Sequence, residues 1–428
     1  MTARAFLDGL FRTAIAAAHP SACLPPHLPA PPRNGRLIVL AAGKAAGSMA
    51  EVAEAVYIGQ KGNEPGRLTG IAVARQGYGR PTEFIPVIEA GHPIPNAAGL
   101  EAAERALRLA EDAGPDDLVL VLLSGGASAN WIAPAQGLTL ADKQTLTREL
   151  LRSGANIGEI NAVRKHLSRI KGGRLAKFAR RASVLTLAIS DVPGDDPAVI
   201  GSGPTVPDPT TLADARAIVA RYKLELPPLV TRALADPRNE SPKPGDLIFA
   251  STEYRLIARP ADAFRAAKRE ARMLGYEPIM FGDRIEGEAR EIAAEHAARA
   301  LALQREGRRA VILSGGELTV TIRGQGRGGP NQEYALALAM ALNGAPGIAA
   351  LAGDTDGTDG GAGSPDDPAG AAIDPTTLNR ARSLGLDPAH FLSDNDSTGF
   401  FTRLGDLVET GPTWTNVNDF RAIVVDRP

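Results

Sequence analysis

The sequence predicts an α/β protein with more than one domain. Three observations carry that expectation. The chain has 428 residues, more than a single hydrophobic core ordinarily organises, so two or three domains are expected. Short runs rich in valine, isoleucine and leucine alternate with helical periodicity along the whole chain, the pattern of parallel βαβ units. The clearest runs, 117–123 and 183–189, are almost continuously apolar, as buried strands are.

Taken in order, Phe6, Leu7, Leu10, Phe11 and Ile15 share one face of a first helix. Pro20 to Pro32 is a proline-rich connector. A buried strand over 36–41 leads through Gly43-Lys44 into a helix reaching Val56. Strands follow at 71–74 and 84–88, a helix at 97–113, and the strand at 117–123, which ends in Ser124-Gly-Gly-Ala-Ser128. Helices are expected around 139–152 and 157–168, before the strand at 183–189. The polar, turn-forming stretch 236–245 marks the domain boundary, giving domains of 1–240 and 241–428. Beyond it come a strand at 246–251, a helix at 260–273, a strand at 278–281 and a helix at 286–305. Strands at 310–313 and 318–322, a helix from Tyr334, and strands at 348–352 and 422–425 complete the chain.

Hydrophobic residues make up 44% of the chain, enough for sizeable cores, and the net charge of −2 gives no reason to expect a nucleic-acid or membrane partner. Cys23 stands alone, which excludes an intrachain disulfide and a cysteine-based metal site and fits a reducing compartment. Asp8 and Arg12 interrupt any signal-peptide core, and no apolar run reaches the ~20 residues of a membrane helix, so a cytoplasmic protein is expected.

The most informative stretch is Gly324-Gln-Gly-Arg-Gly-Gly-Pro-Asn-Gln-Glu333. Its glycines permit close approach to a ligand, and Pro330 suits the first turn of a helix whose start would favour an anion. Arg327 offers a planar fork for phosphate or carboxylate. Gly324, Gly326 and Gly329 fit GxGxxG, and Asp354 follows about 25 residues later, so a dinucleotide reading stays open. Arg327 within the loop suits a highly charged phosphate better.

Lys44 lies at a strand's C-terminal end, where α/β sheets bind ligands, although Ile38 and Ala45 rule out a P-loop. Asn161 to Arg174 is a basic helix with a Lys171-Gly-Gly-Arg174 turn. Ser-Gly-Gly recurs at strand exits, as Ser124-Gly125-Gly126 and Ser314-Gly315-Gly316, either as related anion turns or as ordinary strand exits. Two acidic runs, Asp191 to Asp196 and Asp354-Thr-Asp356-Gly-Thr-Asp359, follow strands and contain candidates to position Mg²⁺. No GxSxG elbow occurs.

Strung together, these motifs resemble the MOFRL-type, or class II, glycerate 2-kinases. The matching stretches are Ala42-Gly-Lys-Ala45, Glu89-Ala-Gly-His-Pro93, Leu123 to Ser128, Val163-Arg-Lys-His-Leu-Ser168 with Lys171-Gly-Gly173, and Gly201-Ser-Gly-Pro-Thr205. In the second half they are Leu313-Ser-Gly-Gly-Glu317, Gly326 to Glu333, Gly353 to Gly357, Asn395-Asp-Ser397 and Gly411 to Asp419. The resemblance implies a Rossmann-like parallel-sheet domain, a C-terminal mixed-sheet MOFRL-like domain, and a cleft between them. It implies transfer of the γ-phosphate of ATP to the 2-hydroxyl of D-glycerate with Mg²⁺, and a homodimer. The family's catalytic lysine and arginine fall on Lys44 and Arg327. Asp191 and Asp354 are candidates for orienting the hydroxyl, and these two with Asp356 for holding the metal. Binding roles are expected for Ser124, Gly125, Gly126, Lys165, Arg169, Ser314, Gly315, Gly316, Gly326, Gly328, Asn331 and Glu333. Some relatives are named hydroxypyruvate reductase, so an NAD(P)H-dependent reductase is the alternative.

Overall fold

In the computed structural model, which describes residues 2–58, 66–361 and 363–426, the apolar runs become strands of two separate six-stranded sheets. The chain divides into two compact units, Pro20–Ile257 and Met1–His19 with Ala258–Pro428.

The sheet of the Pro20–Ile257 unit consists of β1 (Leu37–Ala42), β2 (Leu68–Arg75), β3 (Val87–Ala90), β4 (Leu118–Leu123), β5 (Ser183–Ile189) and β6 (Thr252–Ala258). Their spatial order is β3-β2-β1-β4-β5-β6, and β3 through β5 run parallel. Every residue of β1 is buried, as continuous Leu-Ile-Val-Leu sequence requires of a strand covered on both faces. The helix Ala97–Glu111 lays Ala102, Ala103, Ala106 and Ala110 into the core with Ile38, Leu40 and Val121. Asn96 starts that helix by accepting from the N–H of Gly99. A further helical layer, built from Leu140–Arg152, Ile157–His166, Leu212–Arg221 and Pro228–Ala235, encloses its own core around Leu146, Val163 and Val230. Reciprocal capping boxes at Thr139/Asp142, Asn156/Glu159 and Thr211/Asp214 set three of these helix starts. Because the strand order reverses between β1 and β4, the crevice beyond their carboxyl ends is where such a sheet receives ligands.

The other unit holds β7 (Glu277–Gly282), β8 (Gly287–Glu288), β9 (Ala310–Gly316), β10 (Leu318–Thr319), β11 (Ile348–Asp354), β12 (Gly370–Ile373), β13 (Leu407–Val408) and β14 (Asp419–Val425). The large sheet runs β13-β12-β11-β14-β9-β7, while β8 and β10 pair separately. It is mixed: β14 is antiparallel to β11 and β9, whereas β7 and β9 are parallel. The helices Ala289–Arg305 and Pro330–Leu342 cover one side through Ala293, Ala297, Leu336 and Leu338. The first helix, Ala3–Ala18, covers the other side. Phe6 stacks on Tyr276 at 4.5 Å and the ring of Phe11 lies 5.7 Å from that of Phe420.

The observed units therefore differ from a split into 1–240 and 241–428. The apolar stripe of the first helix finds its cover on β11 and β14 rather than in the unit that follows it in sequence. At the other boundary, residues 252–258 continue the first sheet as its edge strand. The strand expected at 246–251 is instead a short helical turn, Leu247–Phe249, with Leu247 88% exposed. The strand expected at 318–322 shrinks to β10, and Ile322 is exposed. Among the described residues no helix is long and apolar enough to cross a membrane.

Candidate active site

At the strand reversal, the exits of β1 and β4 are tied together. The N–H of Lys44 donates to the carbonyl of Gly125 at 2.8 Å, and the N–H of Ala45 donates to Ser124 Oγ at 2.9 Å. Gly43 sits at φ +119, where a Cβ would lie 2.4 Å from Ser124 Oγ, so no other residue fits this crossing. A Cβ on Gly126 would lie 3.2 Å from both Lys44 Cγ and a ring carbon of His92. Lys44, His92 and the Ser124-Gly-Gly turn therefore form one cluster at the carboxyl end of the parallel sheet. Asp191 lies two residues beyond β5, at the same end of the neighbouring strand. Of these, His92 was not singled out from sequence as a site residue. Its signal was the Glu89-Ala-Gly-His-Pro93 motif alone.

The glycine-rich loop adopts an unexpected arrangement. Residues 323–327 run against Asp394–Asp396: Asn395 Oδ1 accepts from the N–H groups of Arg323 and Gly324, and Asp396 Oδ1 accepts from that of Arg327. A Cβ on Gly326 would lie 2.4 Å from that of Asp396, and one on Gly328 would lie 2.3 Å from Ser397 Oγ. The glycines thus serve close approach to protein backbone and side chains. Arg327 is left 71% exposed, its guanidinium 3.5 Å from Asp367, which makes it an extended cation on a braced loop.

The helix Pro330–Leu342 does begin at Pro330, but its N-terminus is already occupied. Asp359 accepts from the N–H of Asn331 at 3.0 Å and of Gln332 at 2.8 Å, and from both side-chain amides. An internal carboxylate takes the place expected for a ligand anion. Asn331 also donates to Asp419 at 2.7 Å, and Asp419 pairs with Arg421 at 2.9 Å, all buried. Burial, with the Asp419 charge beside it, pushes the Asp359 carboxyl up to about 7 despite these donors. Glu333 is buried and held by Arg290 at 2.6 Å and by Asn395 at 3.0 Å. Asn331 and Glu333 are therefore turned into the unit's interior rather than toward a ligand.

Ser314-Gly315-Gly316 is a strand segment, not an exit turn. These residues belong to β9 and pair with Arg421, Phe420 and Asp419 of β14. A Cβ on Gly315 would strike the Phe264 ring, so that glycine answers to packing. Asp354 ends β11, and its Oδ1 accepts from the N–H of Asp356 at 2.9 Å. Asp356 Oδ1 in turn accepts from the N–H and hydroxyl of Thr358. Among the described residues no group of three or more His, Cys, Asp or Glu side chains is placed to hold a metal ion.

Two family models match the chain, a domain of unknown function (DUF4147) over residues 6–235 and the MOFRL family over residues 310–419. A Pyrococcus horikoshii glycerate 2-kinase is 39% identical over 92% of this chain and 88% of its own length. A protein of Agrobacterium vitis that carries the provisional name hydroxypyruvate reductase is 47% identical over 99% of this chain and 95% of its own. The crystal structure of a Thermotoga maritima glycerate kinase superposes with a TM-score of 0.86 at 36% identity, covering 99% of both chains. The chain belongs to the MOFRL-type glycerate 2-kinase family.

Within this glycerate-kinase fold the basic segment 161–174 lies inside the Pro20–Ile257 unit. Lys165 is buried and paired with Asp208 at 3.3 Å, so its charge is spent internally. Arg169 pairs with Glu104 and donates to the carbonyl of Pro134 at 3.0 Å. The cations next to them, Arg164 and Lys171, have no carboxylate partner among the described residues and bond to carbonyl oxygens instead. Lys165 and Arg169, the two cations of this segment with expected binding roles, are the ones that meet acids, which helical spacing does not reveal.

Proposed function

We propose that this member of the family is a glycerate 2-kinase, transferring the γ-phosphate of ATP to the 2-hydroxyl of D-glycerate. The observation that carries the reading is the βα turn at the strand reversal. In a dinucleotide-binding sheet this turn carries GxGxxG and cradles pyrophosphate with backbone alone. Here it reads Gly43-Lys44-Ala45-Ala46-Gly47-Ser48: Ala45 and Ser48 stand where that pattern has its second and third glycines, and a cation, Lys44, follows the first glycine directly. The GxGxxG at 324–329 does not rescue a dinucleotide reading, because Asp359 fills the helix start that a pyrophosphate would need.

Phosphoryl transfer asks a protein for positioning and charge neutralisation rather than a covalent nucleophile. Lys44, with the Ser124-Gly125-Gly126 turn, neutralises phosphate oxygens. Arg327, an exposed planar fork, does the same for the transferring group. The 2-hydroxyl oxygen attacks the γ-phosphorus, the bond to the β–γ bridging oxygen breaks, ADP leaves, and the hydroxyl proton passes to a carboxylate, for which Asp191 is the candidate.

Asp354 and Asp356 suit a water-mediated Mg²⁺ contact better than a protein cage, since such a site needs only one or two carboxylates besides phosphates and water. When bound, the metal would offset charge on the phosphates. The enzyme is expected to act on small molecules, as a homodimer, in the cytoplasm.

The test is a pair of incubations, one with D-glycerate, ATP and Mg²⁺ and the other with hydroxypyruvate and NADH. ADP formation in the first alone supports the kinase. NADH oxidation alone replaces it with the reductase, the name the Agrobacterium relative carries.

A further inference from the structure

Four motifs that the kinase reading leaves partly unused meet inside the Pro20–Ile257 unit, around Ser128. They are Ser124 to Ser128, the basic helix with Arg164, the Lys171-Gly172-Gly173 turn, and Gly201-Ser202-Gly203. Ser128 Oγ lies 2.6 Å from Ser202 Oγ, and Ser202 donates to Asn161 Oδ1 at 3.3 Å. Gly201, Ser202 and Gly203 are all left-handed, at φ +58, +61 and +56. That conformation costs a serine stability, and such outliers collect at functional sites. The carbonyls of Ser202 and Gly203 accept from the N–H groups of Gly172 and Gly173, locking the two turns together.

Into this cluster the fold brings Arg164, Lys171 and Lys143. Lys171 Nζ donates to the carbonyls of Ser128 and Trp131 at 2.8 and 2.9 Å, and Arg164 donates to that of Ser128 at 3.2 Å. Lys143 donates to the carbonyl of Leu167 at 3.3 Å. Lys171 and Lys143 are only 2% and 3% exposed, whereas Arg164 and Ser128 are half-buried and so reach solvent. Among the described residues no carboxylate pairs with any of these three cations. Carbonyl dipoles blunt a buried charge but do not neutralise it. The mutual repulsion is felt: burial, then Arg164 and Lys143, hold the Lys171 ammonium well below the ordinary lysine range. Burial, then Arg164 and Arg174, bring Lys143 down to about 7. The indole N–H of Trp131, in the same turn, is buried with no acceptor among the described residues. The Arg164 guanidinium without a carboxylate, and two buried amines driven toward neutrality beside it, describe a site that an anion would complete.

We propose that Arg164 and Ser128, backed by Lys171 and Lys143, form an oxyanion site that takes a small carboxylate or phosphate. Among the described residues Arg164 makes one side-chain hydrogen bond, leaving the rest of its fork for the ligand. The β4 exit then serves two purposes, Ser124 to Gly126 toward Lys44 and Ser128 toward Arg164. The proposal rests on the kinase reading only for the identity of the acid, D-glycerate. The site itself does not depend on turnover.

The experiment is calorimetric titration of the full chain, without nucleotide, with inorganic phosphate and separately with D-glycerate. Wild type is expected to bind at least one of them saturably. Arg164→Gln weakens that binding at least about tenfold, and Arg164→Lys recovers part of it. Phosphate binding alone assigns the site to a phosphoryl oxygen, and D-glycerate binding assigns it to the substrate carboxylate. Arg327→Gln, which the kinase reading makes inactive, keeps this binding, so the two ideas fail separately. Should Arg164→Gln not fold, Lys143→Met decides by the same titration, and there the loss of a buried charge is expected to leave the melting temperature equal or higher. Unchanged affinity in the folded variant, or no saturable binding by wild type, overturns the proposal.

Discussion

Asp359 offers the most quantitative prediction. It is an acid driven toward neutrality while capping a helix. Its carboxylate accepts from two backbone N–H groups and two side-chain amides at the start of Pro330–Leu342, which favours the charged form. Burial opposes this, and so does Asp419, reached through the shared Asn331 amide and only partly offset by Arg421. Burial and repulsion prevail, and the group titrates at about 7 instead of 3.8. With a folded value above the unfolded one, the native state holds a proton that the open chain has lost. Asp359 therefore contributes stability that is fully present below the unfolded value and is lost as pH rises through about 7. The slope is about 1.4 kcal/mol per pH unit, which amounts to about 3 kcal/mol between roughly pH 5 and 8. Asp359→Asn keeps a capping acceptor and removes the titration. Urea unfolding of both proteins across that range isolates the effect. His296, which burial brings down to about 4, is common to both and cancels in the difference, whereas Asp419, which repels Asp359, belongs to the effect being measured. Wild type should lose stability relative to Asp359→Asn as pH rises. Parallel curves, or divergence in the opposite sense, would refute the reasoning.

Three further perturbations test separate parts of the account. Arg327→Lys keeps charge but loses the planar fork, so turnover should fall on the order of a hundredfold in steady-state assays. Because the side chain is 71% exposed, chemical denaturation should move by no more than about 0.5 kcal/mol. Gly43→Ala places a Cβ 2.4 Å from Ser124 Oγ at a positive φ, and should cost on the order of 3 kcal/mol together with ligand binding at the β1–β4 crossing, read by thermal melts and titration. Arg290→Met removes the cation from the buried Glu333 and leaves only Asn395 to hold it, a loss of roughly 3–5 kcal/mol by urea unfolding.

How far the sequence revealed all this depends on the kind of information each feature needs. Strands such as 183–189 were legible because burial on both faces forces continuous apolar sequence. The helix at 260–273 was legible from its stripe and from Pro260 at its start. β12, Gly370-Ala-Ala-Ile373, was missed because alanine and glycine suit a crowded, fully buried strand without showing strand propensity. The 246–251 run misled because Leu247, Ile248 and Phe249 look like a strand, while the chain spends them on a turn before β6. At the site, Lys44 and Ser124 could be found because strand exits are local signals. The fate of charges was not local. Only the tertiary structure pairs Lys165 with Asp208, Glu333 with Arg290 and the helix start with Asp359, and only it leaves Arg164 and Lys171 without acids among the described residues. Domain membership of the first helix was equally out of reach, since its apolar stripe specifies that it must be covered and not by what.

The central claim is phosphoryl transfer to the 2-hydroxyl of glycerate. It is tested most directly by phosphorus NMR of the product made from D-glycerate, ATP and Mg²⁺. A 2-phosphate is borne on a methine carbon and couples to one proton, giving a doublet. A 3-phosphate is borne on a methylene and gives a triplet. The account predicts a new phosphomonoester doublet, formed in step with ADP and absent from Lys44→Ala and Arg327→Ala. A triplet, or no phosphoester while hydroxypyruvate oxidises NADH, would contradict it.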